Sequence, residues 1–117
     1  MTMLMAMPGT GPGAGTSGAD VAFDRRELGL ILSVYGRMVA AGEWRDYAIS
    51  HRRDVAVFAV FRRAAETPLY RIEKRPALRL RQGLYAVIGA DGQVLRRGQD
   101  LGQVLRVLER VLIRALE

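Results

Sequence analysis

Seven apolar residues in a row, Val55 to Phe61, stand between Asp54 and the pair Arg62–Arg63. The run is too short to cross a bilayer, and its valines and phenylalanines make a poor helix. It predicts a strand buried on both faces. Val55, Val57, Ala59 and Phe61 point to one side, and Ala56, Phe58 and Val60 to the other. Such a strand needs a neighbour on each edge and cover on each face.

The flanking segments supply the neighbours. Trp44 to Ser50 reads as a first strand, with His51 to Asp54 as the turn into the apolar run. Ala64 to Pro68 forms the next turn, and Leu69 to Lys74 a third strand that Pro76 ends. Residues 75–83 are a basic connection. Leu84–Gly89 and Gln93–Arg97 flank Ala90-Asp91-Gly92, and Asp-Gly between two such runs is a hairpin signal.

Helices are expected at both ends. Asp24 with Glu27 has capping-box spacing, and Phe23 with Leu28 has staple spacing. Leu28, Ile31, Leu32, Tyr35, Met38 and Val39 then form one stripe over 25–41, stopped by Gly42. Asp100 with Gln103 repeats the start signal ahead of the stripe Leu101, Val104, Leu105, Leu108, Val111, Leu112 and Ala115. The order is helix, five strands, helix. Short turns between consecutive strands require antiparallel pairing, so the fold class is α+β with a five-stranded meander flanked by two amphipathic helices.

Two helices cover one face of such a sheet. Either Ala56/Phe58/Val60 or Val57/Ala59/Phe61 is then left open. A second copy of the chain, as a two-fold homodimer, would cover it; so would a partner protein or the basic connection.

Residues 1–22 are rich in Gly, Pro and Met and read as a tail with too little to bury, ahead of a single domain over 23–117. The tail lacks the basic start and the length of a secretory signal. Nothing approaches a transmembrane length, so a soluble cytoplasmic protein with no membrane partner is expected. The chain has no cysteine and one histidine, His51, in a basic turn. Its twelve acids are scattered. No metal, cofactor or catalytic residue is assigned.

The charge is informative. The chain carries a formal +6, and 17 of its 18 basic residues are arginine. The segments 1–42 and 98–117 each sum to zero, so the whole excess lies in 43–97. An arginine bias has a bland origin in genome composition. It also suits planar recognition of phosphate or carboxylate. The candidate partner-binding set is Arg62, Arg63, Arg71, Lys74, Arg75, Arg79, Arg81, Arg96 and Arg97. Tyr70 and Tyr85 would serve as stacking rings if the partner is single-stranded nucleic acid. A second, weaker cluster is Trp44, Arg45, Asp46 and Tyr47. It could line a small-ligand pocket; in the plain reading Trp44 closes the core and Arg45–Asp46 form an exposed pair.

Phe23-Asp-Arg-Arg-Glu-Leu28, Gly42-Glu-Trp-Arg-Asp-Tyr47, Phe61-Arg-Arg63 and Tyr70-Arg-Ile-Glu-Lys-Arg-Pro76 together resemble the small alphaproteobacterial proteins catalogued as domain of unknown function 2794. The likeness runs from about Phe23 to the last helix. It implies a bacterial cytoplasmic protein and carries over no catalytic residues. The expected function is a non-enzymatic binding module, homodimeric, acting through a basic surface on an acidic macromolecule. A single-stranded nucleic-acid binder is the alternative, and a small-ligand sensor or enzyme using Trp44–Tyr47 a weaker one.

Overall fold

The first helix, α1 (Arg25–Ala40), starts where the capping signals place it. Asp24 Oδ1 accepts from the Glu27 amide at 2.8 Å, and Glu27 Oε1 accepts from the Asp24 amide at 2.7 Å. Phe23 is buried, and Leu28 packs half-buried against the same core, as a staple pair should. The expected residue 41 is the cap rather than the last helical residue; its amide still bonds to the Arg37 carbonyl. A computed structural model describes residues 20–63 and 67–116. The expected tail therefore lies outside the described residues as far as residue 19, and the expected 64–68 turn does so over 64–66.

The strands are β1 (Asp46–His51), β2 (Ala56–Phe61), β3 (Tyr70–Lys74), β4 (Tyr85–Gly89) and β5 (Val94–Gly98). They pair antiparallel in sequence order, so the sheet is the expected meander, and α2 (Leu101–Leu116) closes the chain. The β4–β5 turn carries Gly92 at φ 88°, a left-handed conformation that glycine adopts without Cβ strain. Asp91 Oδ1 accepts the Gln93 amide there at 3.0 Å. Asp100 caps α2 by accepting the Gln103 amide at 3.1 Å. The edges of the strands differ from expectation by one or two residues. Trp44 precedes β1 because its ring is drawn into the core, and Pro76 opens a short 3-10 turn, Pro76–Leu78, inside the basic connection.

Both helices lie on the same face of the sheet. Ile31, Val34 and Met38 of α1 and Leu101, Val104, Leu105 and Leu108 of α2 share one core with Ala56, Phe58, Val60, Ile72 and Val87. Register explains the choice of face: Ile49, Phe58, Ile72 and Val87 stand opposite one another across four strands. Phe58 is fully buried, and its ring stacks on Tyr47 at 4.9 Å. Losing that ring to alanine would cost about 3–5 kcal/mol. Arg37 and Glu109 join the two helices outside the core at 2.9 Å.

The face without helices, here the open face, is thus the one with Val57, Ala59 and Phe61, although Ala59, Glu73, Ala86 and Ile88 on it are buried. Its middle row runs Ala48, Ala59, Arg71, Ile88, Val94, and the next row Ser50, Val57, Glu73, Ala86, Arg97. Small side chains and arginines dominate it, and Phe61 is its one aromatic residue among the strands described.

Candidate functional site

Antiparallel strands bring their turns alternately to two ends of the sheet, and this sorts the basic residues. The β1–β2 turn carries Arg52 and Arg53. The β3–β4 connection carries Arg75, Arg79 and Arg81. Arg97 lies next to the end of β5. All six belong to the same end of the sheet, since His51 pairs with Ala56, Ala56 with Lys74, Lys74 with Tyr85 and Tyr85 with Gly98. Four inter-strand gaps of about 4.8 Å make this end roughly 19 Å wide. Arg52, Arg53, Arg79 and Arg81 are exposed. Arg52 and Arg53 were outside the expected set. Their signal is the His51–Asp54 turn itself, which a meander brings to the same end of the sheet as the β3–β4 connection.

The connection is held against the sheet by its backbone. Arg75 and Leu84 extend the β3–β4 ladder, with the Arg75 amide donating to the Leu84 carbonyl at 2.8 Å. The Gln82 and Gly83 amides turn back to the Leu78 carbonyl. The Gln99 side-chain amide donates to the Arg79 carbonyl. Gly83, at φ 122°, lies so close to Gly98 that a Cβ there would be 2.9 Å from the Gly98 Cα. Arg79 and Arg81 therefore project from an anchored loop.

The other members of the expected set are dispersed. Arg62 and Arg63 follow Phe61 at the opposite end, where Arg62 approaches Glu43 at 3.7 Å. Arg71 lies mid-sheet on the open face. There it and Arg75 flank the buried carboxylate of Glu73, at 3.5 and 3.1 Å. Arg75 also reaches Asp54 at 3.5 Å. Arg97 Nη1 donates to the Gly83 carbonyl at 3.5 Å, and Arg96 is exposed at mid-strand.

Lys74 faces the helices. Its ammonium donates to Glu27 Oε1 at 2.8 Å and to the Ala22 carbonyl at 2.9 Å, so its charge is spent within the fold. Tyr85 is buried beside it and donates its hydroxyl to Glu27 Oε2. Burial, and then that hydrogen bond, push the Tyr85 phenol well above its ordinary range. Tyr70 is half-buried on the same side, its ring 6.1 Å from Trp44. The structure does not bring these two rings to the arginines.

Nor do Trp44, Arg45, Asp46 and Tyr47 converge. Trp44 is buried, tilted against Tyr35 at 6.1 Å. Tyr47 points into the core, and Asp46, its neighbour on the strand, points to the open face opposite Phe61. The Arg45 side chain is exposed, while its carbonyl accepts the Tyr35 hydroxyl at 2.9 Å. His51 is exposed at the end of β1. Among the described residues no three His, Asp or Glu side chains group as metal ligands, and no helix is long and apolar enough to cross a membrane.

A family model described as "Protein of unknown function (DUF2794)" matches residues 21–105, which takes in α1, all five strands and the first turn of α2. The chain belongs to that family. No curated protein and no solved structure is similar enough to match.

Proposed function

We propose that this chain is a non-enzymatic binding module that takes an acidic macromolecular partner on the arginine-bearing end of its sheet. One observation carries the reading. Two separate connections, β1–β2 and β3–β4, present Arg52, Arg53, Arg79 and Arg81 exposed at one end, the last two on a loop anchored to β5 and Gln99. Arginines so placed suit carboxylate or phosphate groups, which they bind through paired N–H donors. The nucleic-acid alternative draws on the same charges. Among the described residues no exposed ring stands at that end for bases to stack on: Tyr85 there, and Tyr70 at the other end, are committed to the core side.

The test is fluorescence anisotropy with a labelled Glu/Asp-rich peptide and a labelled single-stranded oligonucleotide, each at two salt concentrations. The peptide is expected to bind, more weakly at high salt. Arg79→Glu with Arg81→Glu should weaken binding by about tenfold or more, and Arg62→Glu with Arg63→Glu should leave it nearly unchanged. Binding that is absent at low salt, or insensitive to the Arg79/Arg81 pair, overturns the proposal. Tighter, strongly salt-dependent binding of the oligonucleotide would replace it with the nucleic-acid reading.

A further inference from the structure

The sheet has two free edges, and they differ. β5 is a protected edge. Its pairing slips between Val87 and Ile88, where Val87 faces Arg96 and Ile88 faces Val94, so Leu95 is an extra residue in a bulge. Two arginines and a glycine complete the strand. Bulges and charges are the usual devices that keep an edge from pairing.

β1 has fewer of them: its one charge is Asp46, at its first residue. It is six residues long, in unbroken register with β2 from Asp46 to His51, and contains no proline or lysine; an irregularity lies just before it, where the Arg45 amide turns inward to the Phe61 carbonyl at 2.8 Å. Its hydrogen-bonding groups alternate. The Arg52 amide donates to the Val55 carbonyl at 2.9 Å. The same ladder assigns the peptide groups of Ser50, Ala48 and Asp46 to β2, opposite Val57, Ala59 and Phe61. The peptide groups of Tyr47, Ile49 and His51 therefore point outward. Among the described residues no backbone group pairs with them.

We propose that β1 is a strand-addition surface whose occupant is β1 of a second copy of this chain, joining two five-stranded sheets edge to edge about a two-fold axis. The outward peptides select the occupant. They form a triplet symmetric about Ile49, so an antiparallel copy meets them with an identical triplet. Ile49 faces itself on the axis, and Tyr47 faces His51 of the partner subunit. That register sets Asp46 against Arg52 of the partner subunit at both ends of the paired stretch, which is a complementary match of charge. One step further out the alternation is broken, because the Arg45 amide turns inward to the Phe61 carbonyl, so the match ends where the strand ends. The two-fold axis runs perpendicular to the sheet. Both helix layers then share one side, and the two open faces join on the other. This differs from a dimer made face to face. There the arginine-rich open faces, with Arg71, Arg75 and Arg97, would oppose one another.

Light scattering on the eluting full chain, with amide hydrogen exchange at high and low concentration, tests this. The expected mass is twice the 13.0 kDa of one chain at high concentration, falling on dilution. The amides of Tyr47, Ile49 and His51 should gain protection with concentration, while those of Ala48 and Ser50, already bonded to β2, should not change. Arg52→Glu should weaken dimerisation roughly tenfold by placing like charges at both ends. Asp46→Arg combined with Arg52→Asp should restore it. His51→Pro, which removes an outward donor and no β1–β2 bond, gives a second variant that keeps the sheet intact. A mass that stays at one chain, a dimer without protection at those three amides, or a charge swap that restores nothing would overturn the proposal.

Discussion

Lys74 Nζ stands 2.8 Å from Glu27 Oε1, tying the end of β3 to the first turn of α1 across 47 residues of chain. Glu27 is nearly fully buried, and it accepts from the Asp24 amide and the Tyr85 hydroxyl as well. Every lone-pair direction of the carboxylate has a reason to be filled, because an unpaired buried charge is expensive. Lys74→Met removes the one cation that touches Glu27 among the described residues and should cost about 3 kcal/mol in urea unfolding. Glu27→Gln with Lys74→Met should cost less than the sum of the single changes, since no charge is then left stranded. Additive losses would mean that the two side chains contribute independently.

Tyr85 makes stability depend on alkaline pH. Burial first, and the bond to Glu27 second, raise its phenol above the ordinary 10.0. Burial likewise raises Tyr35 and Tyr70, helped by Asp46 and Glu43 respectively. A group whose pKa is raised by folding contributes stability that is complete below the unfolded value and is lost as pH climbs through the folded one. Urea midpoints should therefore hold up to about pH 10 and fall above it. Tyr85→Phe should lower stability by about 2 kcal/mol at neutral pH, for one lost bond to a charged acceptor, and flatten the alkaline fall. A variant with the same alkaline slope would assign the pH dependence to other groups.

Much of this architecture is legible in the residues. The apolar run at 55–61, the Asp-Gly turn and the two capping signals suffice for a helix–meander–helix order, because each encodes a local geometry. Which face of β2 the helices take is not local. It follows from cross-strand partners such as Ile49 and Ile72, which face Phe58 only once the register is known. The same gap affects the basic set. Lys74, Arg75 and Arg79 lie within six residues, yet Lys74 is turned inward to Glu27, Arg75 is bound to Glu73, and Arg79 is exposed. Strand alternation separates Lys74 from its neighbours, and only the partner's identity says which charge is already used.

Gly83 should not tolerate a side chain. Its φ of 122° lies where L residues are strained, and a Cβ would meet Gly98 backbone atoms at 2.9 Å. Backbone cannot move aside as a flexible side chain can. Gly83→Ala should cost about 2–3 kcal/mol, read from the thermal midpoint. Gly92→Ala is the control. It shares positive φ but has open space around the added methyl, so its cost should be about 1 kcal/mol. Equal losses at both positions would show that conformation alone, without the Gly83–Gly98 contact, sets the penalty.

Arginines in the connection should divide into two kinds. Arg75 lies 3.1 Å from Glu73, a carboxylate only 7% exposed, and 3.5 Å from Asp54. Its guanidinium is itself about a third open to water (34% exposed), which screens the pair. Arg75→Ala leaves Glu73 with Arg71 alone and should destabilise by about 1 kcal/mol. Arg79→Ala and Arg81→Ala remove exposed side chains and should change stability by less than about 0.5 kcal/mol. Urea midpoints of the three variants measure the difference. Arg79 and Arg81 are accordingly the positions at which a loss of partner binding can be separated from a loss of fold. Destabilisation by Arg79→Ala equal to that of Arg75→Ala would place its side chain in the scaffold and remove it from the proposed contact surface.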